Sequence, residues 1–499
     1  VTANVAFGSS DWWAGKSLVP WRGWTMKISA DGKMEPFAAG MRSPCGIGMI
    51  NGDFFYGDNQ GDWQGSGFIS HVEKGDFLGH PASLAWADNP NSTVKMRKEE
   101  IFALVDPRDN PRVKPEYVEK EALPQTTIFD MSKAIPGKGI KPPAVWLPHG
   151  VLGVSTSEII ADETQGGFGP FSGQLFVGDQ GMSKIARVFL EKVNGQYQGA
   201  AFDFRSGFRS GVLRMSWGND HSLFVGGTNR GWGSIGNEAF GLERLIFTGK
   251  MPFEMKSVKA MPDGFEIEFT LPVNKKLAAD VNNYDVSSFT YKYHPVYGSP
   301  MVNIDENPVR GAIVSEDGLK VRIVVDALRA GYIHAVVPEG VLSQNESLPL
   351  LHKTAYYTLN AIPSGSKANI TLVTPKSKAE RERIDAGKQV NSPDNQMKEA
   401  APKGTSKPSA SSSTVISDKE AMALLTKHTC VACHKEKERA VGPSYVDIAK
   451  RKYTVAEMEA LIIMPKPENW PDYSTPMAPM GHVPRTDIRK LAAWINTRK

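Results

Sequence analysis

The 499-residue chain carries a net charge of +4, with 58 Lys and Arg residues against 54 Asp and Glu residues. Its length suits roughly two to four domains, and 40% hydrophobic with 22% charged residues is ordinary for a globular protein. No apolar run reaches the length of a membrane-spanning helix, and the charge pattern gives no support for nucleic-acid binding. The chain itself is therefore predicted to hold no transmembrane segment and to have no nucleic-acid partner.

The N-terminal half contains a repeat in which a short aromatic or β-branched strand ends in a Gly-Asp or Gly-Gly turn. The copies are D-F-F-Y-G-D-N-Q at 53–60, Q-L-F-V-G-D-Q at 174–180 and S-L-F-V-G-G-T-N at 222–229. The last two copies are 48 residues apart, the size of one propeller blade. The repeat predicts a β-propeller over residues 1–250. About four blades fit there, so either N-terminal blades are missing or the propeller is divergent.

The segment G-M-R-S-P-C-G-I-G-M-I-N-G-D-F-F-Y-G-D-N-Q-G-D-W at 40–63 resembles the glucose/sorbosone dehydrogenase family. The whole chain resembles haem-containing, membrane-bound-dehydrogenase-like members. That family contains propeller dehydrogenases that oxidise sugars through pyrroloquinoline quinone (PQQ). The resemblance implies PQQ and calcium as cofactors, a carbohydrate or alcohol substrate, and an Arg42 that faces the quinone. Ser43 replaces the family's asparagine, and no match to its catalytic histidine is found, so His149 in W-L-P-H-G is the candidate base.

The acidic residues of the repeat turns have a structural explanation. Asp58, Asp62 and Asp179 are predicted to accept hydrogen bonds from nearby backbone N–H groups, as Asp does in turns. The alternative is a role in calcium or substrate binding.

Residues 251–362 change to alternating strands, at 265–273, 320–325 and 332–337, separated by P-D-G and E-D-G turns. This pattern predicts an immunoglobulin-like β-sandwich. We call residues 1–362 the body. Residues 363–415 are rich in Lys, Ala, Ser, Pro and Glu and are predicted to form a flexible linker.

The motif Cys430-Val431-Ala432-Cys433-His434 is the attachment signature of one covalent c-type haem, with His434 as proximal ligand. A zinc site would need further ligands, and the remaining thiol is the distant Cys45. A thioredoxin-like motif would need a βαβ unit, which the pattern does not show.

Residues 416–499, the haem domain, are predicted to be helical. Capping boxes at Ser417/Glu420 and Thr454/Glu457 start two helices. A third follows Thr486, with Ile488, Leu491, Ala492 and Ile495 on one face and Trp494 where the first and last helices cross.

The haem domain resembles the small class I cytochromes c, whose distal methionine lies in a P-M-x-P loop. In T-P-M-A-P-M at 475–480 the resemblance implies Met477 as the sixth iron ligand, with Met480 as the alternative. In G-P-S-Y at 442–445 it implies a backbone carbonyl at Pro443 that accepts the proximal histidine N–H. His428 and His482 are interpreted as supporting or surface residues rather than ligands.

The charge is unevenly divided. Residues 417–499 hold 14 basic and 10 acidic residues, and residues 363–416 hold 9 and 5, so each segment carries +4 and the body carries −4. This favours docking of the haem domain on its own body or on an acidic partner. The alternative is that the charged residues form unrelated solvated faces, because each excess is small.

The sequence thus predicts an exported, periplasmic or surface-exposed haem protein that passes electrons to a partner protein. Its leader would have been removed, and an upstream lipid anchor is compatible with this hypothesis. The body is either a PQQ-dependent sugar or alcohol dehydrogenase or a non-catalytic platform within a redox complex. A third hypothesis, peroxidase activity, would need an open sixth iron position, against which the methionine loop argues.

Overall fold

The computed structural model describes residues 2, 4, 15–17, 19–108, 126–230, 233–377, 380, 416–428, 430–463, 465–466, 469–473, 477, 480, 483 and 485–498. The chain is mainly β, with its longer helices gathered in the haem domain. This confirms the predicted combination of a β-rich body and a helical C-terminal domain. Across the described ranges, no helix combines the length and hydropathy required to span a bilayer.

Antiparallel sheets follow one another along the first half of the body. A two-stranded sheet is formed by β1 (Trp24–Ile28) and β2 (Met34–Ala39), and the next by β3 (Ile47–Ile50), β4 (Asp53–Asp58), β5 (Gly67–His71) and β6 (Val145–Leu147). Then come β7 (Thr156–Ala161), β8 (Leu175–Asp179), β9 (Lys184–Val193) and β10 (Gln196–Ser206), followed by β11 (Val212–Trp217), β12 (Leu223–Thr228) and β13 (Phe240–Leu245). Two short helices, α1 (Lys98–Phe102) and α2 (Ile128–Ala134), lie between β5 and β6.

The sequence repeat corresponds to β4, β8 and β12, each of which ends at its predicted turn. The repeat glycines allow neighbouring sheets to pack closely. A Cβ added at Gly57 would lie 2.8 Å from the side chain of Thr156 on β7, and one at Gly178 would lie 2.8 Å from Val212 on β11. Apolar side chains from adjacent sheets fill the space between them.

The second half of the body is a two-layer β structure. One layer contains β14 (Met255–Met261), β15 (Gly264–Phe269), β19 (Lys320–Val325) and β18 (Val309–Val314). The other contains β17 (Val302–Glu306), β16 (Asp285–Thr290), β20 (Tyr332–Val337) and β21 (Ala355–Leu359). A short helix, α3 (Lys275–Ala278), follows β15. The predicted strands at 320–325 and 332–337 are confirmed as β19 and β20, whereas the strand predicted at 265–273 corresponds to β15 and ends earlier, at Phe269.

The sandwich is joined to the preceding sheets rather than separate from them. β21 pairs antiparallel with β10, so one eight-stranded sheet continues across the predicted boundary at residue 250. Ala200 and Phe202 of β10 are part of the sandwich core.

The start of the predicted flexible linker lies against the sandwich. The backbone N–H of Val373 donates to the carbonyl of Arg310 at 2.8 Å, and that of Ala368 donates to the carboxylate of Asp263 at 2.6 Å. Residues 363–377 therefore differ from the prediction, because backbone hydrogen bonds hold a segment that has few apolar side chains. Residues 381–415 lie outside the described residues.

The haem domain contains α4 (Asp418–Lys427), α5 (Tyr445–Lys450), α6 (Val455–Ile463) and α7 (Arg485–Ile495). Ser417 caps α4 by accepting from the N–H of Glu420 at 3.2 Å. Thr454 and Glu457 form the predicted capping box, with reciprocal bonds of 3.2 and 2.8 Å. The buried Trp494 of α7 donates to Asp418 at 2.8 Å, which confirms the crossing of the first and last helices.

Candidate functional site

The haem-attachment motif forms a tight turn directly after α4. Residues Cys430–Ala432 form a 3-10 turn, and the N–H groups of Cys433 and His434 both donate to the carbonyl of Cys430, at 3.2 and 3.0 Å. Both thiols are free, and they lie with His434 in the wall of one cavity. The turn therefore brings two thiols and an imidazole together within five residues.

His434 is held on two sides. Its Nδ1 lies 2.7 Å from the carbonyl oxygen of Pro443, the contact that the family resemblance implies. A carbonyl only accepts, so Nδ1 carries the proton and Nε2 is left to coordinate a metal. Gly442 packs against the ring, because a Cβ there would lie 2.6 Å from Cε1 of His434. The ring also stacks on Tyr445, and burial lowers the pKa of His434.

The cavity is mostly apolar on the haem-domain side. Its walls there include Leu425, Val441, Ile448, Met458, Leu461, Ile462, Val483, Ile488, Leu491 and Ile495. Two thiols, an oriented imidazole and an apolar enclosure fit a covalent haem c. A bound haem supplies reversible one-electron transfer. Cys430 and Cys433 would attach it, the Pro443 carbonyl would orient His434 as its proximal ligand, and the apolar walls would exclude water.

Both candidate distal methionines contribute to this cavity. Met477 has an exposed fraction of 36%, whereas Met480 is 7% exposed and packs with Val483 and Ile488. The backbone N–H of Met480 donates to the carbonyl of Ile462 at 3.0 Å, which fixes this residue to α6. Thr475, Pro476, Ala478 and Pro479 of the loop lie outside the described residues, so the choice between the two ligands stays a prediction.

The neighbouring histidine His428 is engaged in structure. Its Nε2 lies 2.8 Å from the carboxylate of Asp487 on α7, which agrees with a supporting role. His482 lies outside the described residues.

In the body, Asp58 and Asp179 bond backbone N–H groups as predicted. Asp58 accepts from Arg42 and Ser43, both at 2.8 Å, and Asp179 accepts from Val154, Ser155 and Met182, each at 2.7 Å. Asp62 contacts the guanidinium of Arg42 at 3.5 Å, and its predicted bonding to backbone N–H groups stays a prediction. These bonds tie the strand ends to the neighbouring loops.

The predicted body residues Arg42 and His149 lie near the same cavity. Arg42 is buried, and its guanidinium lies 5.1 Å from the ring centroid of Tyr297, which lines the cavity. His149 lines the cavity itself, and its backbone N–H donates to the hydroxyl of Ser66 at 2.9 Å. The structure therefore places His149 in the cavity wall and Arg42 beside Tyr297, another residue of that wall.

Two buried histidines near Asp62 were missed by the sequence interpretation. Burial lowers the pKa of His80 to about 3 and that of His294 to about 4, while the carboxylate of Asp62 opposes both shifts. Each is therefore neutral near pH 7. The sequence did not predict this cluster, because residues 62, 80 and 294 are far apart in the chain and only the fold brings them together.

Calcium and PQQ, the other cofactors that the family resemblance implies, have less support in the structure than haem. Within the part of the chain that the structure describes, no three His, Cys, Asp or Glu residues are grouped as a metal ion needs, and the Asp58 carboxylate already accepts backbone bonds. The Arg42 guanidinium lies inside the body beside Asp62. The described residues thus show neither a calcium site nor a PQQ site, and both cofactors stay predictions.

The chain has distant likenesses to two kinds of solved structure. A putative glucose dehydrogenase-type oxidoreductase from Thermus thermophilus is 16% identical, with a TM-score of 0.24 over 42% of this chain and 47% of that one. The surface layer protein SbsC, domains 1–6, is 21% identical with a TM-score of 0.18, over 24% of this chain and 15% of that one. The chain thus spans less than half of either structure, and such low scores carry no argument about fold or function.

No protein-family model matches the chain. Among curated proteins, cytochrome c-551 of Allochromatium vinosum is 35% identical over 78 residues, which are 15% of this chain and 81% of that protein. The match supports haem c and a redox role in electron transfer. Through a cytochrome domain that makes up a minor part of its length, the chain belongs to the cytochrome c-551 family.

Proposed function

We propose that this protein is an extracytoplasmic electron-transfer protein with one covalent haem c. Cys430 and Cys433 form the thioether bonds, His434 is the proximal ligand and Met477 the distal one. The observation that carries the proposal is the contact between His434 Nδ1 and the Pro443 carbonyl in a cavity lined by both thiols. This arrangement leaves Nε2 free for iron and holds the ring in one orientation.

The test is expression of the full chain in a host that attaches haem c. We expect one haem per chain that stays bound on a denaturing gel, and a low-spin spectrum that reverses between oxidised and reduced states. The variant in which Cys430 and Cys433 are both changed to Ser should lose the covalent haem, whereas Cys45→Ser should keep it. Covalent haem in the double variant would contradict the proposed attachment.

For the body, we propose that the sheets built around β4, β8 and β12 are blades of a divergent propeller that serves as a platform within a redox complex. The close approaches at Gly57 and Gly178 support this proposal, because equivalent positions meet the next sheet in the same way. Native co-purification with a further redox protein is the expected result. A protein that turns over substrate with no fixed neighbour would contradict a platform role.

A second candidate is catalytic: the body oxidises a sugar or alcohol through PQQ, and the haem accepts the electrons singly. The observation in its favour is that Arg42 and His149 both lie near the haem cavity. The test is anaerobic incubation of oxidised protein with PQQ, calcium and a panel of aldoses and alcohols. Haem reduction that needs both PQQ and one substrate class supports it. Failure of every substrate, with dithionite still reducing the haem, rules it out.

A further inference from the structure

The cavity around the haem-attachment motif has walls from two parts of the chain. The haem domain supplies most of them, and the body supplies Gln60, His149, Val154 and Tyr297. We call these four body residues the docking face. They belong to three loops that are far apart in sequence, so the fold alone brings them together.

We propose that the docking face is the surface on which the haem domain of the same chain docks, so that the body controls the access of external redox partners to the haem. This inference rests on the proposed function, because it needs a haem in the cavity. Its occupant is residues 416–498 of this chain, which already contribute the opposite wall.

Hydrogen bonds and close packing hold the docking face in shape. The backbone N–H of Val154 donates to the buried Asp179, and that of His149 donates to Ser66. The Gln60 amide donates to the carbonyl of Gly65 at 3.2 Å and is packed so tightly on Gly298 that a Cβ there would lie 2.5 Å from its Cδ. A surface fixed in this way loses little conformational freedom on docking.

Gln60 places a buried polar atom at the wall of the cavity. It is only 2% exposed although it lines the cavity, and its Oε1 has no hydrogen-bond partner among the described residues. A buried polar atom without a protein partner is usually bonded to an ordered water. Half-buried Val154 and Tyr297 add apolar and aromatic contact, which is typical of the centre of an interface.

Charge and reach both permit docking within one chain. The haem domain carries +4 and the body −4, so their approach is favoured at low ionic strength. The 38 residues between Ser377 and Ile416 could extend to at most roughly 130 Å, which leaves ample reach. Such a tether makes docking intramolecular, and a small interface then suffices.

The test uses the full holoprotein with Val154→Glu, which places a carboxylate in the apolar contact at a desolvation cost. Leu242→Glu is the matched control, because it makes the same type of change on an exposed strand that is not part of the cavity. Small-angle scattering measures the separation of the two domains. Stopped-flow oxidation of the reduced haem by a neutral benzoquinone measures access. The haem spectrum and circular dichroism show that each variant is folded.

We expect Val154→Glu to enlarge the radius of gyration and to speed quinone oxidation about tenfold, the change produced when a docked fraction of about nine-tenths is lost. Leu242→Glu should match the wild type in both measurements. Equal scattering and equal rates in wild type and Val154→Glu would overturn the proposal. Absence of covalent haem from the wild-type protein would refute the proposed function, whereas a haem-loaded chain with no docking refutes this inference alone.

Discussion

The Nδ1 atom of His434 lies 2.7 Å from the carbonyl oxygen of Pro443, and Gly442 packs directly against the same imidazole. The two neighbouring residues thus act together: one carbonyl fixes the tautomer, and the missing side chain beside it leaves room for the ring. This relationship makes the G-P segment part of the haem site although neither residue would touch the iron.

Gly442→Ala is expected to disturb the proximal ligand. Its Cβ would lie 2.6 Å from His434 Cε1, so the ring must shift and its bond to Pro443 must lengthen. We expect a loss of stability of about 1–3 kcal/mol and a changed haem midpoint potential, measured by thermal unfolding and redox titration. Gly226→Ala is the control, because the nearest atom to its Cβ is 3.7 Å away. A wild-type potential in Gly442→Ala would argue against a constrained proximal ring.

Substitution of Met477 or Met480 by alanine should show which of the two binds the iron. If Met477 is the distal ligand, Met477→Ala should abolish the methionine–iron(III) charge-transfer band and lower the midpoint potential, because the iron loses its thioether ligand. Met480→Ala should keep the band but destabilise the haem domain by about 2–5 kcal/mol, since a buried side chain is lost. Spectroscopy of both variants checks this, and the opposite pattern would assign Met480 as the ligand.

Local features were predictable from the sequence because their determinants lie within a few residues. Cys430 to His434 form one turn, and Thr454 and Glu457 cap one helix from three residues apart. The face of α7 follows from helical periodicity. The repeat likewise located β4, β8 and β12, because each strand and the Gly-Asp or Gly-Gly pair at its end lie within one short segment.

Features that depend on distant pairing were not predictable in this way. The sequence around Gly199 of β10 does not show that this residue pairs with Thr358 of β21. The sequence therefore contains no sign that a sheet crosses the predicted domain boundary at residue 250. The composition of residues 363–377 concealed their bonds to the sandwich, because backbone groups supply them. The docking face has the same origin, since its loops meet only in the folded chain.

Arg187 illustrates such a distant contact and leads to a stability prediction. Its buried guanidinium lies between Phe171 and Phe202 and donates to the carbonyls of Met255 and Lys256, at 2.7 and 2.9 Å. Arg187→Met would remove the Arg187 donor from the carbonyl of Met255, while the carbonyl of Lys256 would keep the Gln174 amide as a donor. We therefore expect a loss of about 1–3 kcal/mol in the body. Chemical unfolding followed by tryptophan fluorescence measures it. Arg209 is exposed and serves as the control, so Arg209→Met should change stability by at most about 0.5 kcal/mol. Equal losses of stability in the two variants would contradict a stabilising role of the Arg187 guanidinium.

Asp58 should give the body a distinctive pH dependence. Burial raises its pKa to about 6, although three backbone N–H groups favour the charged form. The folded state therefore holds this proton more tightly than the unfolded state. Its stabilising contribution is complete below the unfolded pKa of about 4 and is lost as the pH rises through about 6.

The stability of the wild-type body should accordingly fall by about 2 kcal/mol from this group between pH 4 and pH 7, because each unit of pKa shift is worth about 1.4 kcal/mol and the unfolded carboxyl is already partly ionised at pH 4. Asp58→Asn removes the titrating carboxyl, but it also turns an amide NH2 group towards backbone N–H groups that need an acceptor. The variant should therefore be less stable than the wild type at pH 4, and its stability should decline less steeply towards pH 7. Calorimetric unfolding of both proteins across this range provides the comparison. Parallel curves would mean that Asp58 titrates normally, and that its bonds to Arg42 and Ser43 outweigh the cost of burying its charge.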